Sequence, residues 1–204
     1  MIKIGIVGDI GSGKSFVARQ FGYPVFDADK EVLKIYKKNK NCFKKLKRKL
    51  PNFIKSFPIK KDELKIAGLQ NKKNLKKIEK IVHPEVQKNM KKFIEFNNNK
   101  KMLIFDIPLI IENKIYKKKK IELVFVEAKR KHINKKLKQR ENYDNKIVQK
   151  LRKFQISLQI KKKKSKYLIK NDFNSKTCRE NRFKRLSLKR RIKMLKNKIF
   201  QNNE

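Results

Sequence analysis

Cysteine, histidine and acidic residues are all scarce in this chain, and each scarcity excludes something. The two cysteines, Cys42 and Cys178, stand far apart with no CxxC spacing and no pairing pattern. That usage speaks against a disulfide framework and fits a reducing compartment. The two histidines, His83 and His132, lack metal-ligand spacing, so no zinc site is expected. No apolar run approaches the length of a transmembrane helix, and Met1 leads directly into an apolar segment with no room for a secretion signal. The expectation is a cytoplasmic protein with no membrane partner. No internal repeat occurs, and 204 residues suit one domain with small inserted subdomains and a real core.

The shortage of acids is the most pronounced: 18 Asp and Glu against 60 Lys and Arg, a formal charge of +42. Such an excess points either to nucleic acid or an anionic surface, or to a compositional bias toward Lys, Asn, Ile and Phe. Lys117 to Lys120, Lys161 to Lys164 and the asparagines at 97 to 99 lie between apolar segments without interleaved aromatics that could stack on bases. These tracts are therefore expected at solvent-facing positions as compositional drift. No specific nucleic-acid partner is expected, although salt-sensitive adhesion to RNA follows from the charge alone.

What the chain does contain is a complete phosphate-binding loop, Gly8-Asp9-Ile10-Gly11-Ser12-Gly13-Lys14-Ser15. Before it, Ile2 to Val7 is an apolar, β-branched run suited to a buried parallel strand; after it, residues from Phe16 read as a helix. Strand, glycine loop and helix in that order is the context the motif needs. Glycines let successive N–H groups curl around a phosphate, and the helix start adds partial positive charge. Lys14 can reach the β- and γ-phosphates, the Ser15 hydroxyl can ligate Mg²⁺, and the Phe16 N–H can serve the α-phosphate. The expectation is a nucleoside triphosphate site built on Gly11, Ser12, Gly13, Lys14, Ser15 and Phe16.

Further along, apolar segments recur in a βα rhythm: Pro24 to Asp27, Met102 to Asp106, Ile121 to Val126 and Lys166 to Lys170 as strands. Helices are expected at about 30–38, through most of 39–100, at 130–163 and in a basic tail with Leu186, Leu188, Ile192, Leu195 and Ile199 on one side. Parallel strands alternating with helices mean an α/β fold, a three-layer α/β/α P-loop NTPase. Pro51 and Pro58 interrupt the 39–100 segment, which is read as a helical insertion.

Several side chains suit phosphoryl transfer. Asp106 ends an apolar strand and could hold Mg²⁺ opposite Ser15, or serve as an N-terminal cap for the next segment. Asp27 and Asp29 flank Ala28 at a strand's carboxyl end, where ligands of open α/β sheets bind. Asp29 could orient an acceptor hydroxyl and take its proton, or serve as N-cap of the next helix. Arg140 could clamp a transferring phosphoryl group or lie on a solvated helix face. His83, before Pro84, could end a helix or donate to a substrate phosphate.

Together these segments resemble the dephospho-CoA kinase family over residues 1 to about 172. The resemblance rests on Ile10 before Gly11-Ser12-Gly13-Lys14-Ser15, Asp27-Ala28-Asp29, Ile81-Val82-His83-Pro84, and Asp106-Ile107-Pro108-Leu109-Ile110-Ile111-Glu112. It continues through Gln139-Arg140, Gln155, Lys161 and Tyr167 to Asn171. It implies MgATP-dependent phosphorylation of the ribose 3′-hydroxyl of dephospho-CoA, with a substrate-binding insertion at 39–100, a helical lid at 130–163 and a basic C-terminal helix or tail at 173–204. It also implies that the base falls on Asp29, the lid arginine on Arg140, and substrate contacts on Lys61 and His83. The chain departs from the family pattern at Phe16, where a threonine is usual, at Lys61, which replaces arginine, and at Ser165-Lys166, which replace alanine-aspartate. Two other readings share some of these parts: another nucleoside or nucleotide kinase, and a basic nucleic-acid-binding protein on a P-loop scaffold.

Overall fold

A computed structural model describes residues 1–141, 143–173 and 187–203, the side chain of residue 150 excepted. The expectations for Cys178, Leu186 and the start of the tail lie outside them. The chain divides into two compact units, Met1–Val25 with Asn99–Glu204, and Phe26–Asn98. No helix among the described residues is long and apolar enough to cross a membrane.

The first unit is built on a parallel sheet. Its strands are β1 (Ile2–Gly8), β2 (Val25–Asp27), β3 (Met102–Asp106), β4 (Glu122–Glu127) and β5 (Tyr167–Lys170), in the order β2-β3-β1-β4-β5. β1 pairs with β3 through Ile4 opposite Ile104 and with β4 through Ile6 opposite Val124, and β4 pairs with β5. The apolar runs of β1, β3 and β4 are buried along nearly their whole length, as a sheet covered on both faces requires. The unit boundary falls inside β2, and Pro24 before it accepts from the Ile104 N–H at 2.9 Å.

Alternation places Ile4, Ile6, Met102, Ile104, Val124 and Val126 in one core with Val17, Ala18 and Phe21 of α1 (Lys14–Gln20) and its C-cap. The terminal helix α10 (Leu188–Gln201) adds Ile192, Leu195 and Ile199 to that core. Its N-cap is Ser187, whose hydroxyl accepts from the Arg190 N–H.

In the second unit, α2 (Ala28–Lys38), α3 (Lys40–Lys49), α4 (Lys61–Gln70) and α5 (Lys72–Phe96) enclose Ile35, Leu46, Leu50, Ile54, Leu64, Ile78 and Val82. Leu69 and Leu75, also apolar, are exposed. α2 starts earlier than expected because Asp27, not Asp29, is its N-cap, accepting from the Lys30 N–H at 3.1 Å. His83 does not end a helix: α5 runs through Pro84 for 25 residues. Proline removes one N–H from the ladder, and contacts on both sides hold the helix across it, from Ile78 and Val82 to Phe93, whose ring meets that of Phe26 at a tilt with centroids 5.5 Å apart.

The expectation that the Lys and Asn tracts face solvent also needs correction. Lys117 to Lys120 and Lys162 to Lys164 are exposed, but Lys161 and Asn97 are buried. Asn97 caps α5, its amide donating to the Phe93 carbonyl at 2.8 Å.

Because Ile192 is fully enclosed, Ile192→Ala should lower stability by about 2–5 kcal/mol, read as a lower urea midpoint. An unchanged midpoint would show that α10 is no part of the folded core.

Candidate active site

The glycine loop joins β1 to α1 and closes on itself through the Ser12 N–H, which donates to the Asp9 carbonyl at 3.2 Å. Gly13 is the N-cap of α1 with φ 85°, and a Cβ there would collide with the Asn171 amide nitrogen. No side chain caps this helix, so its first-turn N–H groups stay available to an anion.

Residues to which the sequence alone assigned no role hold the loop. Asn171, just after β5, donates from Nδ2 to the Ser12 carbonyl at 2.8 Å. The buried Asp9 accepts the Ile10 N–H at 2.7 Å and a two-pronged bond from Arg152, Nε and Nη2 each at 3.1 Å. Arg130, the first residue of α7 (Arg130–Lys138), adds an ion pair to Asp9 at 3.5 Å. Arg152 lies on α8 (Asn145–Lys153). One signal was present in the sequence: a carboxylate inside an anion-binding loop, in a chain short of acids, needs a cation of its own.

Lys14 folds back over the loop, donating from Nζ to the Asp9 carbonyl at 2.8 Å and the Gly8 carbonyl at 3.4 Å. Burial lowers its pKa from the usual 10.5 to about 8; Lys161 and Arg140 push the same way, while Asp106 and Asp9 resist. These groups come from separate segments of the sequence, and here they act on one ammonium. Asp106 is buried at the end of β3, beside the loop, because Phe105 pairs with Gly5 of β1. Ser15 is exposed in the first turn of α1.

Arg140 does not lie on a helix face. It is exposed in the turn after α7, on the wall of a cavity of about 550 Å³ that also touches Gly11, Gly13 and Phe16. Lys161, on α9 (Leu158–Lys164), pairs with Glu112 at 3.4 Å and donates to Gln155 at 2.7 Å. Glu112 also accepts the Ile156 N–H, which ties the segment after β3 to the start of α9. Ser165 in turn donates its hydroxyl to the Lys161 carbonyl, and Lys166 pairs with Glu122, so both departures there have partners.

Asp29, Lys61 and His83 belong to the second unit. Asp29 is exposed in the first turn of α2, Lys61 is exposed at the first position of α4, and His83 is exposed on α5.

Residues 2–177 match the profile of a family described as dephospho-CoA kinase. A dephospho-CoA kinase of Wolbachia pipientis wMel is 32% identical over 171 residues, 81% of this chain and 87% of that protein. One from the Wolbachia of Brugia malayi is 36% identical over 118 residues, but this match spans only 55% of the chain and 60% of the relative. The solved structure of the Campylobacter jejuni dephospho-CoA kinase superposes with a TM-score of 0.65 over 99% of this chain and 98% of that one, at 22% identity, which shows the shared fold.

Arg152→Ala leaves the buried Asp9 carboxylate with the Ile10 N–H and, as its paired cation, only the exposed Arg130, and should cost about 3 kcal/mol in a denaturation series; Arg130→Ala should cost less than about 1 kcal/mol. Equal costs would contradict the two-pronged anchoring. For Lys14, a triphosphate favours the ammonium, so affinity for a nonhydrolysable ATP analogue should be greatest below the pKa of about 8. It should fall as pH rises through that value, by at most about tenfold per unit. Lys14→Arg, charged throughout, should flatten that slope.

Proposed function

The chain belongs to the dephospho-CoA kinase family, and we propose that it carries out that family's reaction, the last step of CoA synthesis. ATP would donate its γ-phosphoryl group to the ribose 3′-hydroxyl of dephospho-CoA, giving CoA and ADP. The observation that best supports this reading is the loop, where the Lys14 ammonium feels Asp106 and Arg140 together. A carboxylate and a guanidinium acting on the same lysine suit a phosphoryl-donor site.

In the proposed step the 3′-oxygen bonds to the γ-phosphorus as the bond from that phosphorus to the bridging oxygen breaks. The hydroxyl proton passes to a carboxylate, and ADP leaves. Asp29 is the proposed acceptor of that proton. Two things support the assignment: the family resemblance, and the capping of α2 by Asp27, which relieves Asp29 of that role. Lys14 and the loop N–H groups hold the phosphates, and Arg140 meets the charge that develops on the transferring group. Lys61 and His83 would bind the anionic parts of the acceptor. As Lys61 is a lysine, it supplies charge without a two-pronged grip.

Mg²⁺ suits the donors available. The Ser15 hydroxyl and the Asp106 carboxylate are hard oxygen ligands, and a triphosphate and water supply the remainder. When bound, the ion would neutralise phosphate charge. A cytoplasmic location belongs to the same proposal, supported by the buried free thiol of Cys42.

A coupled assay of ADP release tests this. Dephospho-CoA should turn over, and AMP, CMP, pantothenate and adenosine should not; turnover on AMP with none on dephospho-CoA would overturn the reading. Asp29→Asn should lower kcat by about a hundredfold or more while ATP binding persists. Near-normal turnover in that variant would remove Asp29 as the base.

A further inference from the structure

The cavity beside the glycine loop carries two aromatic rings: Phe16, which among the described residues packs into no buried cluster, and Phe173, which rests on the small core of Ile133, Leu137 and Val148 and also reaches the cavity wall. Phe16, in the first turn of α1, is 46% exposed and lines this cavity rather than the core. Phe173 also lines it, with a left-handed backbone at φ 58°, a conformation that is costly for a bulky residue and is a pointer to function when it occurs beside a site. Its ring carbon Cε1 lies 3.3 Å from where a Cβ on Gly13 would stand, and its ring meets His132 edge-on at 6.4 Å.

Asn171 holds this bend. Its Oδ1 accepts the Phe173 N–H at 3.1 Å while its Nδ2 donates to the Ser12 carbonyl. Each end of that amide already makes one bond and the side chain is buried, so little of it is presented to a base. The other polar side chains on the wall discriminate poorly. Lys136, Arg140 and Lys189 are donors only. The Ser187 hydroxyl caps α10, and Gln20, one turn along from Phe16, can present either end of its amide. Among the described residues, the cavity offers flat apolar faces and no fixed donor–acceptor pair.

We propose that Phe16 and Phe173 hold the base of the donor nucleotide by its faces, and that this enzyme consequently accepts guanine as well as adenine triphosphates. A π-face is common to every base, so stacking gives affinity without choice. Lysine and arginine donors suit the acceptor-rich edge of guanine at least as well as that of adenine. The threonine usual for the family at position 16 would supply no such ring. The inference rests on the loop being a triphosphate site and is independent of the acceptor.

Equilibrium binding of the β,γ-imido analogues of ATP and GTP, with Mg²⁺ and no acceptor, tests it. The two Kd values should agree within about tenfold, and Phe16→Ala should weaken both by about tenfold. Phe173→Gly keeps the left-handed backbone without strain while removing the ring, so it should weaken both analogues. A preference for the ATP analogue beyond about tenfold, or Kd values unmoved by both substitutions, would overturn the proposal. Failure to phosphorylate dephospho-CoA would leave this result standing, because no acceptor takes part.

Discussion

A loop that offers N–H groups to an anion has few of them left to hold itself in shape. The glycine loop here makes two such bonds, from the Ser12 N–H to the Asp9 carbonyl and from the Ile10 N–H to the Asp9 carboxylate, and is otherwise fixed from outside, through its carbonyls and that one side chain. Asn171 reaches it from the end of β5, two strands from β1 in the sheet, and is itself set by its N–H bond to the Glu127 carbonyl at 2.8 Å. Asp9 is gripped by Arg152 of α8 and paired with Arg130 of α7. The helices that carry the cationic residues are thus tied to the loop they serve, and the order of the sheet is what brings the end of β5 within reach.

The same contacts settle an electrostatic difficulty. A site built for a polyphosphate gathers cations that repel one another before the ligand arrives. Each of three cations here has a carboxylate close by: Arg152 has Asp9, Lys161 has Glu112, and Lys14 feels Asp106 and Asp9. In a chain with 18 acids to 60 bases, placing several of the acids here balances charge where it is most concentrated. The balance is incomplete at Lys14, where burial outweighs the carboxylates and the ammonium is left easier to deprotonate than usual. A triphosphate would reverse that.

Much of the fold was legible because the strongest signals were local. β1, β3 and β4 are apolar runs, and the loop and α1 follow from glycine spacing and the change of period. Less was legible wherever a local rule met tertiary packing. Proline predicts a helix end, yet α5 passes through Pro84 because its apolar stripe is buried on the near side, at Ile78 and Val82, and again beyond it at Met90. Asp29 was the N-cap candidate, and the cap is Asp27 instead, whose backbone is extended at φ −100° and whose side chain accepts from the Lys30 N–H. At the site, the loop, Asp106 and Arg140 could be named from residue types, but Asp9 and Arg152 are 143 positions apart, and their pairing has no short-range trace.

Lysine runs hid one further distinction. Composition makes lysine the default cation of this chain, so a lysine on the surface carries little information. Arginine is the exception, and several of its occurrences fall where a planar fork is needed: Arg152 on Asp9, and Arg191 bridging the Lys170 carbonyl and Asp172 at 2.6 Å each. Lys161 shows the complementary case. Three lysines come after it in the run and all are exposed, but it alone is buried, with Glu112 and Gln155 for partners. A point charge satisfies a carboxylate oxygen and an amide oxygen approaching from different sides, so the position does not require a fork. The drift toward lysine thus leaves the contacts of Lys161 intact, where geometry is undemanding, and an arginine stands at Asp9, where one carboxylate takes two parallel hydrogen bonds.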